Sequence, residues 1–251
     1  MSRRFRNFLA GILALLFIGL GGFLAWALTP LGPMPEVQAA LISDTRIEVE
    51  QNQWLAFVPR ANSPRLGVIF YPGGRVDYRS YAPIMRAVAE HGYLTIISPM
   101  PLNLAVLSPE EAQKVIAAYP QISTWVIGGH SLGGAMAATF VSRHPHEAQG
   151  LILVAAYPAN NASLHSFQIP VLSISATADG LANPQKIADS RPLLPETTQW
   201  VVIQGGNHSG FGWYGDQPGD GQATISRTVQ RQQTVEAIIR FLRAVEGMGE
   251  Q

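Results

Sequence analysis

Apolar residues follow three patterns along the chain. The first is continuous: residues 8–28 carry no charged side chain, and as a helix rising about 1.5 Å per residue they reach roughly 31 Å, the thickness of a bilayer core. The second is a series of short runs of buried-strand type at 67–71, 94–98, 124–128, 151–155, 171–176 and 199–204, preceded by an opening antiparallel pair at 46–50 and 54–58. The third has helical spacing. Tyr81, Ile84, Met85 and Val88 share one face that Gly92 terminates; Leu132, Ala135, Met136 and Phe140 form another, and Val235, Ile238, Ile239, Leu242 and Val245 a third. Ser108, Pro109 and Glu111 stand as N-cap, N1 and N3 of a capping box. Strands alternating with helices predict an α/β fold, a mostly parallel twisted sheet with helices on both faces, preceded by one N-terminal transmembrane helix. The organisation is then a cytoplasmic tip and anchor at 1–28, a linker at 29–45 that its prolines stiffen, and one folded domain at 46–251.

Charge gives the first segment a direction. Arg3, Arg4 and Arg6 precede the span and the next basic residue is Arg46, which puts the N-terminus in the cytoplasm and the domain on the far side of the membrane, periplasmic or extracellular. A second reading is a cleaved signal peptide, for which Ala25, Trp26 and Ala27 supply an A-x-A site, although the apolar stretch exceeds the roughly 7–15 residues of such segments. A buried soluble helix is the third. Seventeen basic and seventeen acidic residues sum to zero, but the three arginines before the span leave the remainder mildly acidic. No broad basic face for nucleic acid is implied. With no cysteine, disulfides, thiol nucleophiles and Cys-ligated zinc are excluded.

The chemistry is concentrated around Gly129, Ser131 and Gly133, a G-x-S-x-G pattern between the apolar run ending at Gly128 and the helical stripe starting at Leu132. A serine in a strained strand-to-helix turn projects its oxygen from the end of a sheet, and small residues two positions either side let strand and helix close up. Ser131 is therefore the candidate nucleophile. His130 is its neighbour in sequence, but side chains diverge at such a turn, so it reads as a supporting residue rather than the base.

With these residues the chain resembles the α/β-hydrolase superfamily over about residues 46–245. The resemblance implies an acid at Asp179, in the small-residue turn after 171–176, and a histidine at His208, in the loop after 199–204, in the chain order Ser, acid, His. It implies an oxyanion loop at Tyr71, Pro72, Gly73 and Gly74, with proline where a histidine is usual. The donors would be the backbone N–H groups of Leu132 and Gly74, with Arg75 as the alternative to Gly74. Only 16 positions separate Ala155 from Val171, too few for the cap that many members insert there. The chain is thus similar to small lidless esterase-like members of the dienelactone-hydrolase type, with serine in place of their usual cysteine.

Seven of the 24 glycines lie between 205 and 221, so a long irregular segment follows His208, a length typical of functional loops. Its Phe211, Trp213 and Tyr214, together with Arg75, are candidate substrate-binding residues, the alternative being internal packing for the aromatics and a surface position for the arginine. Asp216 and Asp220 do not have EF-hand spacing and read as solvated turn carboxylates. The expected activity is cleavage of a small-molecule carboxylic ester through an acyl-enzyme on Ser131, without metal or cofactor, by a protein attached to the membrane through residues 8–28. The same residues would serve an amidase, a peptidase or an acyltransferase, and a non-catalytic binding module could retain the fold.

Overall fold

The computed structural model describes residues 3–248; residues 1–2 of the expected cytoplasmic tip and 249–251 of the domain lie outside it. Helix α1 (Arg3–Leu28) is a span of 26 residues whose only buried side chain is Ala27. It is long and apolar enough to cross a membrane.

The remainder builds one eight-stranded sheet, consisting of β1 (Ile47–Gln51), β2 (Leu55–Pro59), β3 (Leu66–Tyr71), β4 (Leu94–Ile97), β5 (Thr124–His130), β6 (Gly150–Val154), β7 (Val171–Ala176) and β8 (Gln199–Ile203), in the order β1-β2-β4-β3-β5-β6-β7-β8. The opening pair is antiparallel, as the sequence predicts, and β2 joins β4 antiparallel; every later pairing is parallel. The helices are α2 (Ala82–Ala89), α3 (Glu111–Ala118), α4 (Leu132–Arg143), α5 (Pro184–Asp189) and α6 (Arg227–Met248).

Period-two alternation sorts the strand side chains between two cores. Val68, Phe70, Val126 and Ile152 pack with residues of α2 and α6, whereas Ile69, Tyr71, Ile127 and Leu151 pack with residues of α3 and α4. Because β4 and β5 lie on opposite sides of β3, the connections reverse direction there. That is the switch point where open α/β sheets place their sites, beyond the carboxyl ends of the strands.

Two local expectations differ from what forms. Helix α3 begins at Glu111, with Ser108 a turn earlier. The Glu111 carboxylate accepts from Ser108 Oγ (3.0 Å), Trp54 Nε1 (3.1 Å) and Lys114 Nζ (2.7 Å) instead of closing a capping box. Residues 29–45 also do more than space the domain from the span. Leu31 pairs with Val76, its N–H donating to the Arg75 carbonyl (2.7 Å) and its carbonyl accepting from Asp77 N–H (3.0 Å). Val37 and Ala40 lie on the inner side of a 3-10 turn (Pro35–Leu41), buried in the α2 core. Arg86 then ties this segment down through the Ile42 carbonyl (2.7 Å) and Asp44 (2.8 Å). Three-residue spacing is the signature of such a turn, and it is easily overlooked among prolines.

Candidate active site

Ser131 sits between β5 and α4 with φ 52° and ψ −122°, a conformation costing of order 1–3 kcal/mol for a residue with a side chain. The turn is possible because nothing larger than hydrogen fits around it. A Cβ on Gly133 would lie 2.2 Å from the Tyr71 carbonyl oxygen, and one on Gly129 would lie 2.5 Å from the Gly133 carbonyl carbon. Backbone bonds hold the serine in place: its N–H donates to Val154 (2.9 Å) and its carbonyl accepts from Ala135 (3.1 Å).

Asp179 follows β7, its carboxylate buried. One oxygen accepts the backbone N–H groups of Leu181 and Ala182, both at 2.8 Å, and the other accepts from His208 Nδ1 at 2.8 Å. That bond assigns the proton to Nδ1 and leaves Nε2 with its lone pair free. Nε2 is buried without a hydrogen-bond partner among the described residues. His208 and Ser131 line one cavity of about 280 Å³, whose other walls are Leu132, Ala135, Ala155, Ala156, Tyr157, Leu181 and Ala182.

The two residues expected to supply the oxyanion donors are in contact: a Cβ on Gly74 would stand 3.1 Å from Leu132 Cδ2. Leu132 is the first residue of α4, so its N–H points out of the helix unpaired, at the positive end of the helix dipole. Neither it nor the Gly74 N–H has a partner among the described residues, whereas the Arg75 N–H donates to the Asn103 carbonyl (2.8 Å). Of the two alternatives after Leu132, the structure therefore leaves Gly74 available and commits Arg75.

His130 is fully buried. The Gly73 N–H donates to Tyr81 Oη (3.0 Å), which is also hydrogen-bonded to His130 Nδ1 (2.8 Å), tying the 71–74 loop to the residue before Ser131. The His130 and His208 rings are 4.5 Å apart between centroids. Burial, reinforced by that neighbouring imidazole, holds the His130 pKa well below its ordinary value of 6.5. A neutral His130 does not oppose positive charge forming on His208.

The candidate substrate-binding residues lie elsewhere. Phe211, Trp213 and Tyr214 are buried on the far side of His130, with the His130 ring 5.9 Å from Phe211 and 6.2 Å from Tyr214. None of the three lines the cavity beside Ser131. Arg75 turns away toward the end of α1: its guanidinium donates to the carbonyls of Trp26 and Thr29, both at 2.8 Å, and stacks 4.4 Å above the Trp26 ring. The residues that do form the walls follow β6 and Asp179. Their signal in the sequence is faint, a run of small residues at Ala155 and Ala156 and again at Ala182.

Asp220 also does more than solvate a turn. Its carboxylate accepts from the backbone N–H groups of Gly180 (3.2 Å), His208 (3.1 Å), Ser209 (2.8 Å) and Gly221 (2.8 Å), joining the acid loop to the histidine loop. Those N–H groups hold its pKa below the usual carboxylate value despite opposing desolvation. From α6, Gln230 exchanges two hydrogen bonds with the Asn207 backbone (2.7 and 3.1 Å), and Arg227 donates to the carbonyls of Ser209 and Gly212.

The profile of the Alpha/beta hydrolase family matches residues 67–232. No curated protein matches the sequence. Among solved structures, a thermophilic esterase from Thermogutta terrifontis is similar at 14% identity and a TM-score of 0.60, over 87% of this chain and 96% of that one. A CIB-like hydrolase from Thermoplasma acidophilum is 14% identical, with a TM-score of 0.56 over 79% of this chain and 97% of its own. The esterase domain of a Rhodothermus marinus protein is 15% identical, with a TM-score of 0.52 over 62% and 83%. A strand-to-helix elbow, an acid and histidine in family order, and a match extending from β3 into α6 make this chain a member of the alpha/beta hydrolase family.

Proposed function

We propose that the protein is a membrane-anchored serine hydrolase that cleaves carboxylic esters with a short acyl group. The observation that carries this reading is that Ser131 and His208 line one small cavity together with Leu132, whose backbone N–H is unpaired, while Asp179 holds the imidazole and the unpaired Gly74 N–H belongs to a residue in contact with Leu132. His208 Nε2 takes the proton of Ser131 Oγ as that oxygen attacks the ester carbonyl carbon. The oxyanion forms against the N–H groups of Leu132 and Gly74, and Asp179 holds the imidazole and stabilises its positive charge. Collapse expels the alcohol with the proton from His208; water then repeats the sequence on the acyl-serine and releases the acid.

A volume of about 280 Å³ walled by four alanines falls below the roughly 300–1,000 Å³ of sites for drug-sized ligands, which favours a short acyl chain. The Thermogutta terrifontis esterase has been solved with butyrate bound, at 13% identity and a TM-score of 0.60. Anchoring by α1 rather than cleavage is supported at Ala27. This last residue of the A-x-A site is fully buried, and its carbonyl accepts from Asn103 Nδ2 at 2.9 Å, so removal would take away packed chain. The arginines before the span orient the N-terminus to the cytoplasm and the domain to the far side.

A fluorophosphonate probe applied to membranes containing the full chain tests the chemistry. The expected result is a single covalent adduct on Ser131, absent in Ser131→Ala and prevented by prior reaction with an ester-like inhibitor. A folded protein that takes no adduct would overturn the reading in favour of a binding module.

A further inference from the structure

We infer that the end of the domain carrying the nucleophile lies on the lipid surface, and that the site takes its ester from there: a short acyl group carried on an amphiphilic alcohol whose tail stays in the bilayer. The substrate class rests on the ester-hydrolase reading above and the surface rests on α1 crossing a membrane. The argument begins where the span meets the domain. Helix α1 ends at Leu28 and is gripped there by Arg75 and Asn103, which bond the carbonyls of Trp26, Ala27 and Thr29. Arg75 immediately follows Gly74, which packs against Leu132 at the start of the helix after Ser131, and both belong to the loop at the carboxyl end of β3. The span thus leaves the domain beside the mouth of the site, one residue from the oxyanion loop. Because its remaining side chains are not buried against the domain, the membrane surface meets the domain at this carboxyl end of the strands.

The second observation concerns the neighbouring loop. After β4, residues 98–109 carry no charge. The turn Pro101–Asn103 packs on α1, and the next turn, Ala105–Leu107, packs on α4, the helix that Ser131 begins. That second turn leaves Val106 and Leu107 half-exposed, at 51% and 52%. An apolar turn continuous with the end of a span, on the face where the cleft opens, fits lipid better than water. At about 280 Å³ the cavity favours a short acyl group, so the membrane-borne part of the substrate is its alcohol, which remains outside as the acyl group enters.

The test uses the full chain in phosphatidylcholine vesicles and two butyrate esters of one chromophore, soluble methylumbelliferyl butyrate and vesicle-embedded heptadecylumbelliferyl butyrate. Replacing Val106→Asp and Leu107→Asp together is expected to lower hydrolysis of the embedded ester by at least about tenfold while leaving the soluble ester within about twofold. Equal loss on both esters, or no loss on either, overturns the inference. An arm independent of turnover exploits the absence of cysteine: a fluorophore on Leu107→Cys should be quenched by doxyl-labelled lipid, and one on Ser63→Cys, in the loop before β3 at the opposite end, should not. Equal or absent quenching at the two positions also overturns it. If the wild type cleaves neither ester, the hydrolase reading fails by itself, and the quenching still decides whether this face meets lipid.

Discussion

Ser131 and His208 face the same cavity, yet the chain holds them there by different means. The serine is positioned by backbone alone. It lies between a seven-residue strand and a twelve-residue helix, and its turn depends on glycines that let the Tyr71 and Pro72 carbonyls come within contact of the helix start. The histidine lies in a long irregular segment between β8 and α6 whose only regular element is the turn Ser209–Phe211. Side chains hold that segment: Asp220 gathers four N–H groups, Gln230 clasps Asn207, and Arg227 collects carbonyls. The consequence is a difference in vulnerability. The elbow fails when an atom is added, because there is no space for one. The histidine loop fails when atoms are removed, because its polar groups lose their partners.

The largest effect should come from Ser131→Ala, which removes the reacting oxygen and leaves both supports intact. Ester turnover should fall by about 10⁴-fold or more, with the melting temperature unchanged. Residual turnover above that level would show that another group carries the reaction. Next in size is Gly133→Ala. A methyl 2.2 Å from the Tyr71 oxygen must push strand and helix apart, and an overpacked site of this kind costs about 3 kcal/mol or more. Loss of both fluorophosphonate labelling and several degrees of melting temperature is expected, whereas full labelling would mean that the elbow can relax. Asp220→Ala tests the other side. Leaving four N–H groups short of an acceptor, three of them part-buried and that of Gly180 exposed, should cost about 2–3 kcal/mol and lower kcat about 10- to 100-fold through His208. Asp220→Asn should lie between, since its amide oxygen can still accept from His208 while its NH₂ group meets the Ser209 N–H. The carboxylate's depressed pKa adds a sign. Its contribution is present above the unfolded value of about 3.9 and is lost as pH falls through the lower folded value. Acid unfolding of Asp220→Asn should therefore be less steep than that of the wild type.

The same contrast explains what could be read in advance. The strands, the elbow and the family order of Ser131, Asp179 and His208 are local patterns: alternation, a glycine motif, a turn after a strand. Their positions agree with the sheet to within a residue or two at each end. The supports of His208 were not legible, because Asp220 and Gln230 act across 12 to 23 positions of sequence and resemble any polar surface residue. Arg75 was misleading for a related reason. Its proximity to the oxyanion loop suggested the cleft, whereas its partner is the end of a helix 46 to 49 positions earlier. Aromatic residues near the histidine suggested walls, but large rings that follow a buried catalytic-type pair are as useful behind it, where they fill volume and exclude water. Four of the observed walls are alanines, whose small size makes room for a cavity and leaves almost no pattern.

The smallest effect is also the most specific, and it concerns a side chain that links the two regions. His130 precedes Ser131, packs beside the His208 ring and is hydrogen-bonded to Tyr81 Oη. Its pKa is held well below 6.5 by burial and by His208, so in the folded protein it stays neutral over a range where the unfolded chain takes up a proton. Below about pH 6.5 the unfolded state binds more protons at this site, and stability must fall as pH falls, with a limiting slope of about 1.4 kcal/mol per pH unit for one group. His130→Asn retains an oxygen acceptor for Tyr81 but cannot titrate. Melting temperatures measured from pH 7.5 to 5.5 should therefore decline less in His130→Asn than in the wild type, and the two curves should run parallel above pH 7. A variant that merely loosened packing would be displaced by a constant amount at every pH. Such parallel curves throughout would show that His130 carries no proton linkage, and that its contact with His208 serves only to fill space between the elbow and the loop.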